Sequence, residues 1–142
     1  MKLDQLQQII DSAYDQYSAF QKRIMETGYY QEFAQMVTDT ESPDEEFLAR
    51  KILQMTSMFD EIGNMVQYLH KPVRQSGFLL KSTAGWVLKG ETIKDGTTLE
   101  FMHNGEWQIG KLRLSGSETP SVVSEDRNIV CTELDHLKVR IR

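Results

Sequence analysis

One cysteine, three histidines and three prolines stand among 142 residues. A lone thiol excludes a disulfide framework and any zinc site built on paired cysteines. No window approaches the roughly 20 apolar residues of a membrane-spanning helix. The opening stretch MKLDQLQQIIDSAYDQ holds acids and glutamines where a secretion signal needs an apolar core. Together these absences predict a soluble, cytoplasmic chain that makes no use of a membrane. Chemistry is scarce as well. Cys131 has no companion at ligand spacing, and His70, His103 and His136 sit in three unrelated contexts. Gly85, Gly90 and Gly96 are spread among turns and lack the strand-to-helix setting of a phosphate loop. No nucleophile, base and orienting group can be assembled. The expectation is a protein that is not an enzyme and uses no cofactor and no metal.

Positive charge is the other shortage. Lys and Arg number 16 against 21 Asp and Glu, for a net charge of −5, which argues against a generic phosphate binder. The deficit is local. Residues 1–74 hold 7 basic and 12 acidic side chains, while residues 75–142 hold 9 of each. No Lys or Arg lies between Arg23 and Arg50, where Glu26, Glu32, Asp39, Glu41, Asp44, Glu45 and Glu46 supply seven negative charges. Those acids form a candidate contact surface for a protein partner with a basic face. Asp44, Glu45 and Glu46 have a simpler use as well, because carboxylates suit the positive end of a helix.

What is present has two textures. Apolar residues at Leu3, Leu6, Ile10, Ala13, Tyr17, Phe20 and Ile24 keep a 3-4 alternation and predict a helix that Gly28 ends. Ser42, Pro43 and Glu45 match a capping box with proline at the first helical position. The seam that follows is Leu48, Ile52, Met55, Phe59, Ile62, Val66 and Leu69. A short helix with Tyr30, Phe33 and Val37 bridges the two long ones. Met58, Met65 and Phe47 widen the second stripe beyond what two helices cover, so a third surface is needed. Either the C-terminal half or a second copy of the chain supplies it, the latter as a homodimer through the helices.

After His70-Lys71-Pro72 the helical pattern stops. Short apolar runs separated by turns follow: Gly77–Lys81, Trp86–Lys89, Thr97–His103, Glu106–Leu114, Ser121–Ser124 and Leu137–Ile141. Asn104-Gly105 is the strongest hairpin signal among them. The predicted fold is α+β. An antiparallel helical hairpin of two long helices and a short one fills residues 1–72, and a small SH3-like antiparallel β-barrel fills residues 76–142. Its expected core is Phe78, Leu80, Val87, Leu99, Phe101, Trp107, Ile109 and Val139. Alternation places Lys138, Arg140 and Arg142 on one strand face, and Lys111 with Arg113 on another, beside Trp86 or Trp107. Those five cations are the alternative contact surface, for nucleic acid.

Gly96, Leu99-Glu100-Phe101, Asn104-Gly105-Glu106-Trp107, Gly110-Lys111-Leu112 and Val139-Arg140-Ile141 form a further pattern. It resembles a family of short domains of unknown function from conjugative and other mobile DNA of Gram-positive bacteria, with G-x-x-I-E-V, D-G-x-W, G-R-I-E and V-R-I. The resemblance covers about residues 77–142. Val122-Val123 replaces the family's late aromatic pair, His136 stands for a glycine and Lys111 for an arginine. It implies a genomic habitat, and no catalytic residue. Habitat and acidity together suggest an accessory protein that binds, and inhibits, a nucleic-acid-handling host protein such as a CRISPR nuclease.

Overall fold

A computed structural model describes residues 2–26, 28–116 and 119–142; the side chains of Met25, Tyr29, Tyr30 and Phe33 lie outside that description, including two assigned above to the bridging helix. The chain divides into two compact units, Met1–Lys71 and Pro72–Arg142.

Three helices build the first unit: α1 (Leu3–Glu26), α2 (Tyr29–Asp39) and α3 (Pro43–His70). Gly28, at φ 77°, takes the left-handed conformation that lets α2 start directly after α1. The cap of α3 is more elaborate than a two-residue box. Ser42 Oγ accepts the Glu45 N–H at 3.4 Å, but the Glu45 carboxylate takes the Thr40 hydroxyl at 2.8 Å. Thr40 Oγ1 in turn accepts the Ser42 N–H at 3.1 Å, so the reciprocal bond is relayed through Thr40.

Helices α1 and α3 run antiparallel. Phe20 meets Phe59 with ring centroids 4.4 Å apart, Tyr14 stacks on His70 at 4.2 Å, and His70 Nδ1 lies 2.8 Å from Asp11 Oδ1. Between them the buried ring of Tyr17 rests on Gly63, where a Cβ would fall 2.0 Å from its Cζ. The buried positions of α3 are Ala49, Thr56 and Gly63. This corrects part of the expected seam: Phe59 meets Phe20, and Ile52, Val66 and Leu69 are half-buried, but the other three positions turn outward. Leu48, Met55 and Ile62, one residue earlier in each heptad, are 59%, 54% and 55% exposed. The helices approach along small residues, since only those admit an aromatic ring between two backbones. Periodicity finds both stripes equally well and does not say which one the neighbour chooses.

The second unit is an eight-stranded antiparallel sheet: β1 (Gln75–Ser82), β2 (Gly85–Leu88), β3 (Glu91–Thr92), β4 (Thr98–His103), β5 (Glu106–Arg113), β6 (Ser121–Ser124), β7 (Val130–Cys131) and β8 (Lys138–Ile141). Strand order is β3-β2-β1-β8-β4-β5-β6-β7. The ladder is linear and does not close, so the expected barrel is replaced by a sheet with two edges. Both edge strands, β3 and β7, are two residues long, too short to find each other and short enough to limit edge-to-edge pairing. Strand β1 serves two ladders in succession: Gln75–Phe78 pair with β8, and Leu79–Ser82 with β2.

Leu79, Leu88, Leu99, Phe101, Leu112, Val122, Leu134 and Val139 are almost wholly buried and form the core with Ile93 and Ile141. Leu99, Phe101 and Val139 were expected there. Phe78 and Leu80 are instead 52% and 42% exposed, and Val87, Trp107 and Ile109 only half-buried. In the unbroken run Phe78-Leu79-Leu80 alternation has two possible phases. The Leu79–Leu88 pair takes the inner one and sends Phe78, Leu80 and Val87 outward.

Candidate functional site

The outer face of the sheet carries the most organised cluster of polar chemistry in the second unit. The pairs Arg140–Glu100, Glu100–Ile109, Met102–Trp107, Lys111–Thr98 and Phe78–Lys138 set these side chains on one side. Glu100 is 3% exposed and would be untenable there alone. Arg140 satisfies it with two bonds, Nε to Oε2 at 2.8 Å and Nη2 to Oε1 at 3.0 Å, and Arg142 Nε lies 3.3 Å from Oε2. The Arg140 guanidinium also lies 4.2 Å from the Trp107 ring centroid, with Lys138 Nζ 5.8 Å away. Of the five basic residues expected to form a face, Arg140 and Arg142 are therefore spent internally. They lock β4 to β8 and fix Trp107.

Lys111 and Arg113 do something different. With Arg127 they border a depression of about 280 Å³ whose floor includes Ile109, Gly110 and Val123. Among its lining residues Glu125 is the single acid, and none of the three cations is ion-paired within the described residues. A second depression of about 410 Å³ adjoins it, sharing Ile109, Ser124 and Glu125 and reaching Trp107.

Two carboxylates hold the loops that frame this place. Asp95 accepts the Leu114 N–H at 2.6 Å and the Ser115 hydroxyl at 2.6 Å, which anchors the end of β5. Those bonds, led by the Leu114 amide, hold its carboxyl below the usual carboxylate range, and nearby Arg113 adds a smaller lowering. Asp126 accepts the Ser124 hydroxyl at 2.5 Å, the Asn128 N–H at 3.0 Å and the Asn128 amide at 2.9 Å. The Ser124 hydroxyl is the main reason its carboxyl is held low. Both groups stabilise their loops when ionised. That contribution is present above the ordinary carboxylate range and is lost as pH falls through the lowered folded values. The Asp126 turn also holds Arg127 at φ 61°, an uncommon conformation for a residue with a side chain. Sequence reasoning missed Arg127. The readable signal was Asp126-Arg127-Asn128, a charged residue between two turn formers that supply their own hydrogen bonds.

The acidic residues are dispersed by comparison. Glu32, Asp39 and Glu45 meet around an open groove of about 450 Å³ with Gln35, Met36 and Thr40. Glu26 ends α1, Glu41 lies between α2 and α3, and Asp44 stands in the first turn of α3; none of these lines that groove. Glu46 is tied to Arg50 at 2.9 Å.

Cys131 is half-buried, and burial pushes its thiol up, away from a nucleophile's range. Among the described residues no three His, Cys, Asp or Glu side chains come together as metal ligands. Among the described residues no helix is long and apolar enough to cross a membrane. No family model, curated protein or solved structure matches the chain.

Proposed function

We propose that the chain is a non-catalytic binding protein whose sheet unit takes a single-stranded nucleic acid on its outer face. One observation carries this reading: Lys111, Arg113 and Arg127 surround one depression with no ion-pair partner among the described residues, beside loops that Asp95 and Asp126 hold in place. Cations left unpaired at a rigid rim favour phosphate, because little ordering has to be added on binding. Trp107, in the adjoining depression, offers an apolar edge beside the phosphate position. The neutral total charge of residues 75–142 limits affinity and does not remove the local field.

The test is fluorescence anisotropy with a labelled single-stranded oligonucleotide at low salt. Binding in the micromolar range is expected, and Lys111→Gln/Arg113→Gln/Arg127→Gln should weaken it at least about tenfold. Absence of binding at tens of micromolar, or equal binding by the triple variant, contradicts the reading.

A second reading rests on the groove that gathers Glu32, Asp39 and Glu45. It is a protein-interaction surface for a basic partner, in the manner of a mobile-element inhibitor that occupies a nuclease's phosphate channel. Inhibition of DNA cleavage by a purified CRISPR nuclease tests it. Wild-type chain should inhibit, and Glu32→Gln/Asp39→Asn/Glu45→Gln should lose at least about tenfold in potency. Wild-type chain without effect on cleavage contradicts it.

A further inference from the structure

Helix α3 has two apolar stripes and uses only one of them. Ala49, Thr56 and Gly63 are buried against the rest of the helical unit. The other stripe runs Leu48, Met55, Met58, Ile62, Met65 and Leu69, at successive spacings of seven, three, four, three and four. Leu48, Met55, Met58, Ile62 and Met65 are each more than half exposed. With 3.6 residues per turn its centre lies about 120° round the helix from the buried line. An exposed stripe with this period has the a and d spacing of a coiled-coil seam, and Lys51 fills the one missing d position.

We infer that this stripe is the interface of a homodimer, in which α3 of one chain packs antiparallel on α3 of a second copy about a two-fold axis at Met58. Charge selects both the occupant and the direction. Lys51 stands within the stripe and Glu61 beside it, and neither has an ion-pair partner within the chain among the described residues. About a two-fold at Met58, Lys51 falls beside position 65 of the second chain, four residues from its Glu61. That offset is about 6 Å along the axis, within reach of a lysine side chain. Glu61 falls opposite Met55 of the second chain, next to Gln54, which bonds Lys51 at 3.3 Å, and no acid faces an acid. A parallel pair would set Lys51 against Lys51 and Glu61 against Glu61. The antiparallel pair is also isologous, so one self-complementary surface suffices and the assembly closes at two chains. Six large apolar side chains per helix, twelve across the pair, match a core of the kind obligate interfaces need.

Sedimentation equilibrium of the full chain, combined with cysteine cross-linking in a Cys131→Ser background, tests this. The wild-type chain is expected to be a dimer at tens of micromolar. Met58→Glu/Ile62→Glu should raise the dimer dissociation constant about 100-fold or more while the helical circular dichroism is kept. Met58→Cys should cross-link to itself, and Leu48→Cys should not, because residue 48 faces residue 68 of the partner. A monomeric wild-type chain overturns the inference, whatever else the stripe binds. So does a dimer that survives the double substitution, or efficient self-cross-linking through Leu48→Cys.

Discussion

Replacing Arg140 by Met is expected to destabilise the sheet unit by about 3 kcal/mol, more than any conservative change on its outer face. The reason is the carboxylate left behind. Glu100 is 3% exposed, and Arg140 supplies both of its close hydrogen bonds. Removing one partner of a buried pair costs about 3–5 kcal/mol, because the other charge stays desolvated. Arg142, at 3.3 Å from the same oxygen, keeps the loss near the lower end. Both tryptophans, Trp86 and Trp107, lie in this unit, so the thermal transition read by tryptophan fluorescence reports on it alone. A drop of roughly 15 °C is expected for a unit of this size. The paired replacement Glu100→Leu/Arg140→Met should recover most of the loss, since two apolar side chains leave no buried charge. An Arg140→Met variant that melts with the wild type would show that the bidentate bond contributes little. A double variant no better than the single would assign the effect to lost packing on Trp107.

Gly110→Ala is expected to be comparably damaging, by a different mechanism. A Cβ at this position would sit 2.5 Å from the Val123 carbonyl oxygen and 2.9 Å from Phe101 Cε1. One obstacle is backbone in the paired strand, and the other is the largest fully buried side chain. Neither yields cheaply. Overpacking of this kind costs about 1–3 kcal/mol, and a displaced β5–β6 ladder places Gly110 at the upper end. Gly110 also lies in the floor of the Lys111–Arg113–Arg127 depression, so the strand shift should impair oligonucleotide binding along with stability. Fluorescence melts and anisotropy on the same sample check both effects. A variant of wild-type stability and affinity would mean that β6 moves aside freely.

Much of the scaffold could be read before any coordinates. The Ser42-Pro43-Glu45 start of α3, its end before Pro72 and the Asn104-Gly105 hairpin are local signals, each fixed by a few neighbouring residues. Phase and closure are not local. Leu48 and Ala49 both begin heptad stripes, and the choice depends on where Tyr17 finds room, which is at Gly63. Phe78-Leu79-Leu80 offers two phases, and the register with Leu88 decides between them. Closure depends on edge strands β3 and β7, each two residues long and invisible to alternation. The candidate site was legible in composition and illegible in partnership. Lys111 and Arg113 lie on β5, Lys138 and Arg140 on β8, and Arg142 directly follows β8. Nothing in the spacing revealed that Glu100, forty residues before Arg140, would claim two of them. Arg127 joins the group only because the Asp126 turn brings it back over β5 and β6.

Lys111, Arg113 and Arg127, which have no ion-pair partner among the described residues, are proposed to bind the backbone of a single strand. The most direct measurement is the dependence of oligonucleotide affinity on salt concentration, for the wild type and for the Lys111→Gln/Arg113→Gln/Arg127→Gln variant. Three phosphate contacts predict a slope of about −2 in log K against log salt for the wild type, and a slope near zero for the variant. A wild-type slope near zero, or the same slope in both proteins, would contradict the account.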